Sequence, residues 1–389
     1  MDENLYEKGC AHFTEHILFK GTEKYSTADI AKAFDKIGGN VNAFTEKETT
    51  CFHCTFPSRH FDYAIDILAD MLFHPLFDLE EIEKEKSVVI NEIREGEDTP
   101  EDLSYELYME RMWPDHPLGC KITGTEKEVS DITRDTLLAF YRKRYIAENL
   151  LVAVAGNFDP DHLVKKLDQI ISLPHGEMAS LSRIAPVPHT DISFLNSSSQ
   201  QIQIYAGTSF PVPKDPHEYY AALVFSTMAG ESMSSRLYQK IREEMGLCYG
   251  IYSFRSFFPG ASMWTVYLST FPENVLTSLR TISSELSDMK NNSFRQSELS
   301  DAITHMEGEL TVSCEDTEVR MKRLARQFIF FGYSFSMDDA FGYLEEISMS
   351  DIDSFLGNHI RSENFNVMVY GRMKKSLINE SGKKPLLDF

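Results

Sequence analysis

Basic residues and cysteines are scarce in this chain, and no long apolar run interrupts it. Across 389 residues, Lys and Arg number 38 against 60 Asp and Glu, a formal net charge of −22. A phosphate backbone rewards the opposite sign, so nucleic-acid binding is excluded as a main function. The acidic balance serves solubility first, and it would favour basic ligands where acids line a cavity. The six cysteines, Cys10, Cys51, Cys54, Cys120, Cys248 and Cys314, are scattered. That argues against a disulfide scaffold and for a reducing compartment. Apolar runs such as Leu150–Ala155 fall far short of the roughly 18–20 residues that span a bilayer. No basic stretch followed by an apolar one opens the sequence. The expectation is a cytoplasmic chain with neither membrane span nor signal peptide.

The length suggests two domains, and two segments repeat. Ile132, Glu148, Asn149, Val152, Val154 and Gly156 recur as Ile347, Glu363, Asn364, Val367, Val369 and Gly371, every pair separated by the same interval. Both segments read as a helix running into a buried strand, which supports two similar halves. Between them, Leu173-Pro-His-Gly and Ala185-Pro-Val-Pro188 bracket a polar stretch. Pro and Gly break regular structure, so the halves are expected at 1–178 and 190–389 with a linker over 179–189. In the first half, Cys10–Lys20 reads as a helix stopped by Gly21. Ser26 caps a second helix, with Asp29 at the capping-box position, and this helix stops at Gly38-Gly39. Asn40–Phe56 reads as a long strand or hairpin, Phe61–Phe73 as an amphipathic helix, and Asp78–Glu95 as a long charged helix. This mixing of strands and helices makes the fold class α+β.

Two motifs offer metal ligands. Cys51-Phe-His-Cys54 lies in a segment that reads as strand, where a spacing of three puts the thiols on opposite faces, unsuited to a shared ion. His12-Phe-Thr-Glu15-His16 is different. Imidazoles at i and i+4 of a helix lie about 6 Å apart on one face, as two ligands of a tetrahedral Zn²⁺ require. Glu15, at i+3, shares that face and is placed to accept a proton from a water on the ion. On the charged helix, Glu85, Val88, Val89 and Glu92 share one stripe, and the valines suggest that it faces the core. A carboxylate there must be paired or bound to metal. Glu92 is the candidate third ligand, and Glu85 is placed to orient a histidine by accepting its other ring N–H.

At these residues the sequence resembles the pitrilysin family of zinc peptidases, whose motif inverts His-Glu-x-x-His. The group includes the insulin-degrading enzyme, the mitochondrial processing peptidase and bacterial single-chain relatives, the last being the most similar type. The likeness extends through His12–Thr22, Gly39-Asn-Val-Asn-Ala-Phe-Thr45, Val88-Val-Ile-Asn-Glu-Ile93 and Glu97-Asp-Thr-Pro100, and covers nearly the whole chain.

The resemblance implies two similar halves, each a mostly antiparallel sheet covered by helices, facing each other as a clamshell. It implies one Zn²⁺ per chain held by His12, His16 and Glu92, with Glu15 as general base and Glu85 supporting the site. Asn42, Ala43 and Phe44 would pair with an extended peptide by strand addition, and Arg242 and Tyr249 would reach the bound peptide's carbonyl. The implied function is a zinc metalloendopeptidase cleaving peptides or unfolded, presequence-like segments in a closed chamber. The expected partners are the peptide and a second copy of the chain, with a different chain as the alternative. If Gly21 is matched with Gly230, the second half places Ala221, Val224 and Phe225 where the first has His12, Glu15 and His16, so that half is expected to hold no metal. Ala229–Arg236 lacks the long glycine-rich loop of the non-catalytic mitochondrial subunit. Relatives usually begin earlier, with strands that complete the first sheet, whereas 11 residues precede His12, so a truncated start is expected to hide any targeting segment. A catalytically silent partner subunit is the main alternative, and a zinc hydrolase acting on a non-peptide is a further one.

Overall fold

A computed structural model describes residues 7–176, 185–373 and 387–389. Most of the expected linker, residues 179–184, lies outside the described residues. The chain groups into two compact units: residues 1–98, 120–182 and 313–326 form the first, and residues 99–119, 183–312 and 327–389 form the second. Each unit therefore takes in a piece of chain from beyond the middle of the sequence.

The first unit contains α1 (Cys10–Leu18), α2 (Thr27–Ile37), the strands β1 (Asn40–Thr45) and β2 (Thr50–Thr55), α3 (Phe61–Phe73) and α4 (Leu79–Asp98). The chain then passes through α5 (Pro100–Met112) of the second unit and returns to the first for α6 (Glu126–Asp131), α7 (Arg134–Arg144) and α8 (Pro160–Ile170). Helix α2 has the anticipated capping box, Ser26 with Asp29, and ends on Gly38 at φ 66°, where a side chain would be strained. Strands β1 and β2 form an antiparallel hairpin, with Asn40 opposite Thr55 and Thr45 opposite Thr50. Phe13, Ile17 and Leu18 of α1 pack with Ile82, Val89 and Ile93 of α4 and with Leu137 and Phe140 of α7. This packing locks α1 against α4 through their apolar faces and sets how their polar residues meet.

The second unit adds β3 (Ile192–Asn196), β4 (Ile202–Phe210), α9 (Pro216–Ser226), β5 (Cys248–Phe258), β6 (Ala261–Thr270), α10 (Val275–Asn292) and α11 (Gln296–Ser313). After α12 (Thr317–Phe331), which begins in the first unit, come α13 (Met337–Glu345), α14 (Met349–His359) and β7 (Phe365–Gly371). Its sheet has the order β3-β7-β4-β6-β5, antiparallel except where β3 runs parallel to β7. Helices α9, α10 and α14 bury its apolar face in one large core.

Two local expectations are corrected. The segment after α7 is not a buried strand: residues 150–155 form no ladder, and Leu151 and Val152 are exposed. Its counterpart β7 is buried between β3 and β4. A strand needs hydrogen-bonded neighbours, and among the described residues none lies beside 150–155. Val88 does not face the core either; it is 48% exposed while Val89 is fully buried. The buried stripe of α4 runs through Ile82, Glu85, Val89 and Ile93, and Glu92 sits at its rim.

Candidate metal centre

Helix α1 begins at Gly9, whose φ of 79° is left-handed. A Cβ there would come within 2.8 Å of the Thr123 carbonyl oxygen, so the close start of the helix needs glycine. With its apolar side turned into the core, α1 presents His12, Glu15 and His16 together, and α4 brings Glu92 to meet them. His12 Nε2 lies 3.5 Å from Glu92 Oε1, and His16 Nε2 lies 3.6 Å from Glu92 Oε2. The two rings meet edge to face with centroids 4.6 Å apart. One ligand atom from each of the three residues falls within 4.8 Å of the others. Donors about 2.0–2.1 Å from a tetrahedral Zn²⁺ stand about 3.3 Å from one another, so these separations fit one small ion. Two imidazole nitrogens and one carboxylate oxygen form a donor set of the catalytic zinc type.

The surroundings set the charge of the cluster. His16 Nδ1 lies 2.8 Å from Glu85 Oε1, which is itself 4% exposed and receives Lys20 Nζ at 2.6 Å on its other oxygen. Burial opposes protonation of His16, but the hydrogen bond to Glu85 and the charges of Glu85, Glu92 and Glu15 outweigh it and raise its pKa. Burial likewise opposes ionisation of Glu85, yet His16 and Lys20 hold its pKa below the ordinary glutamate value. Contact with His12 lowers that of Glu92 against a smaller effect of burial. Glu85 thus fixes the tautomer that leaves His16 Nε2 free to ligate. His12 has no such support: its Nδ1 is buried without a hydrogen-bond partner among the described residues. The two histidines are therefore held unequally.

Glu15 lies on the same helix, with its Oε2 accepting from the Thr45 hydroxyl. Asn42, Ala43 and Phe44 lie on β1, whose outer edge pairs with no strand among the described residues. Asn42 Oδ1 accepts from the Ala43 N–H at 2.9 Å, and Phe44 lies under Lys322 of α12, with Nζ 4.7 Å from the ring centroid. In the second unit, Arg242 lies in a π-helical segment, Tyr238–Glu244. Its guanidinium is 4.7 Å from the Tyr238 ring centroid and 5.6 Å from that of Tyr249, which is 89% exposed. These two residues are brought together, in a different unit from the histidines. Ala221, Val224 and Phe225 are all buried on α9 and offer no ligand atom. The thiols of Cys51 and Cys54 join no metal-ligating group among the described residues, and burial pushes that of Cys54 up to about 12. Sequence reasoning missed Lys20 and Thr45. Lys20 continues the face of His12 and His16 by another i+4 step, and Thr45 lies two positions beyond Ala43 on β1, signals too common to single out either residue.

A sequence profile described as Insulinase (Peptidase family M16) matches residues 1–126, and one described as Peptidase M16 inactive domain matches residues 131–306. A Bacillus subtilis protein named uncharacterized zinc protease YmxG is 32% identical over 378 residues, 97% of this chain and 90% of that protein. A Rickettsia felis protein named uncharacterized zinc protease is 32% identical over 352 residues, 90% of this chain and 84% of that protein. Among solved structures, a peptidase M16 inactive domain from Pseudomonas fluorescens superposes with a TM-score of 0.86 at 21% identity. It covers 94% of this chain and 88% of its own. The chain belongs to peptidase family M16.

Proposed function

From membership of the M16 peptidases and the geometry of α1 and α4, we propose that this chain is a zinc metalloendopeptidase. The observation that carries the proposal is the convergence of His12, His16 and Glu92 with Glu15 on the same helix face. His12, His16 and Glu92 would hold the ion. A bound zinc lowers the pKa of water from 15.7 toward about 7 and polarises the scissile carbonyl. Glu15 takes the proton of the attacking water and passes it to the leaving amine, so one carboxylate serves as base and then acid. Glu85, ionised between His16 and Lys20, keeps the His16 ring in its ligating orientation.

The substrate in this reading is an extended or unfolded peptide, paired along β1 at Asn42, Ala43 and Phe44, with Arg242 and Tyr249 as further peptide-binding groups. The free edge of β1 supports the first part. The acidity of the chain favours basic, presequence-like peptides, and the working form is a homodimer. The word inactive in the second profile suits the second half, where Ala221, Val224 and Phe225 are buried. That profile begins at residue 131, after His12, Glu15, His16 and Glu92, so the word does not reach these four groups.

The test is zinc analysis of the purified chain together with cleavage of a quenched fluorescent peptide. One zinc per chain is expected. Glu15→Gln should keep that zinc and lose about 10²–10⁴-fold in kcat; full activity in this variant rejects the assigned base. His12→Ala should lose zinc and cleavage together, and unchanged metal content rejects ligation. A zinc-loaded wild type that cleaves nothing would favour the silent-subunit reading.

A further inference from the structure

Helix α1 carries Glu15, but a residue of another element contacts its carboxylate. Glu15 Oε2 lies 2.5 Å from the Thr45 hydroxyl, and Thr45 Oγ1 lies 3.3 Å from Oγ1 of Thr50, the residue directly opposite it in the β1–β2 pair. An ionised carboxylate only accepts, so Thr45 donates to Glu15, and the Thr50 hydroxyl is left to donate to Thr45. Glu15 Oε1 accepts no hydrogen bond among the described residues. One oxygen is anchored and the other is free to take a proton.

Resting on the peptidase reading, we infer that Thr45 is a positioning residue that aims the Glu15 carboxylate at the attacking water. The terminal torsion of a glutamate is broad and weakly fixed by its own rotamer. A general base, however, must be held within about 0.5 Å and 10–20° of its working geometry. The Thr45 hydroxyl supplies that constraint. It does so from β1, the strand proposed to pair with the peptide. One hairpin therefore sets the direction of the base and the line along which the peptide lies, so the two are aligned by construction. Valine at 45 keeps the β-branched shape that suits a strand and removes the donor. Serine keeps the donor.

The experiment compares wild type, Thr45→Val and Thr45→Ser for kcat and KM on a fluorescent peptide and for zinc per chain. Thr45→Val should keep one zinc and a KM within about twofold while kcat falls about 10–100-fold, and Thr45→Ser should return to within about threefold of wild type. Wild-type kcat in Thr45→Val overturns the inference. So does a loss carried by KM, or a serine variant as slow as the valine one. A second readout needs no activity: the melting temperatures of zinc-free Thr45→Val, Glu15→Ala and the double variant. Both single changes break the same contact, so their shifts should combine non-additively, and additive shifts overturn the pairing. If zinc-loaded wild type cleaves no peptide, the proposed function fails by itself, and the melting cycle still decides whether Thr45 holds Glu15.

Discussion

The two halves use one segment in two ways. Helix α7 runs Arg134–Arg144 and is followed by a 3-10 turn at Ala147–Asn149; α14 runs Met349–His359 and is followed by a 3-10 turn at Ser362–Asn364. The interval that relates the sequences also relates these elements residue by residue, and both helices begin after a hydroxyl residue, Thr133 and Ser348. Beyond the turn they diverge: Phe365–Gly371 enters the five-stranded sheet, and 150–155 stays unpaired. The helices matched through Gly21 and Gly230 diverge as well. In α1 the matched face carries His12, Glu15 and His16, opened to solvent through a Glu92 side chain that is 48% exposed. In α9 that face is Ala221, Val224 and Phe225, sealed in the core. A metal-binding face must stay partly open to admit substrate, whereas a face of apolar residues is free to become core. One half keeps polar groups together at these positions, and the other buries apolar side chains there.

The sharpest way to break this comparison is to put a base where the second half has a valine. Val224→Glu should cost on the order of 4 kcal/mol or more, because it buries a charge with no partner. Glu15→Gln in the first half should shift stability by less than about 1 kcal/mol while it removes activity. Urea melts of the two variants decide; equal stability losses would erase the distinction. Next in size is Glu85→Gln, expected to weaken zinc binding about 10–100-fold by loosening His16. Competition with a chelator measures it, and unchanged affinity would assign Glu85 to packing alone.

A pH series on the zinc-free protein sharpens the electrostatics. The raised pKa of His16 gives stability that is fully present below its unfolded value of 6.5 and is lost as pH rises through the folded value. The lowered pKa values of Glu85 and Glu92 give stability present above their unfolded value of 4.5 and lost as pH falls. The cluster should therefore stabilise the zinc-free chain most between these two values, by on the order of 1 kcal/mol, since Glu92 is half exposed to solvent screening. A urea midpoint that is flat across that window, or unchanged in its pH dependence by Glu85→Gln, would show that the groups are not coupled. The smallest effect is a matched pair. Val367→Thr puts a hydroxyl into a buried strand and should cost about 1–3 kcal/mol, whereas Val152→Thr, on the exposed counterpart, should change stability by less than about 0.5 kcal/mol. A large loss from Val152→Thr would mean that 150–155 is covered.

Local signals were the legible ones. The capping box at Ser26, the stop at Gly38 and the hairpin in Asn40–Phe56 each follow from a few neighbouring residues. The His12–Glu15–His16 face follows from helical spacing alone, because i, i+3 and i+4 share a face wherever the helix is placed. Periodicity failed where the deciding partner was distant. Val88 and Val89 are equal as residues, and only the packing of α4 on α1 and α7 chose between them. Residues 150–155 have the composition of a strand, but a strand exists only beside another. The partition at 178 and 190 came from a linker signal, and such a signal does not report that residues 99–119 join the second unit while 313–326 join the first.

Sequence alone placed two imidazoles and a carboxylate on one helix face, with a further acid on a second helix. Only the tertiary structure decided that Lys20 joins Glu85 beside His16, and that the Thr45 hydroxyl at the end of β1 reaches the Glu15 carboxylate. Spacing within one element is set by backbone geometry and is therefore written in the sequence. Distances between elements are set by which faces the core buries, and that depends on every residue packing at once.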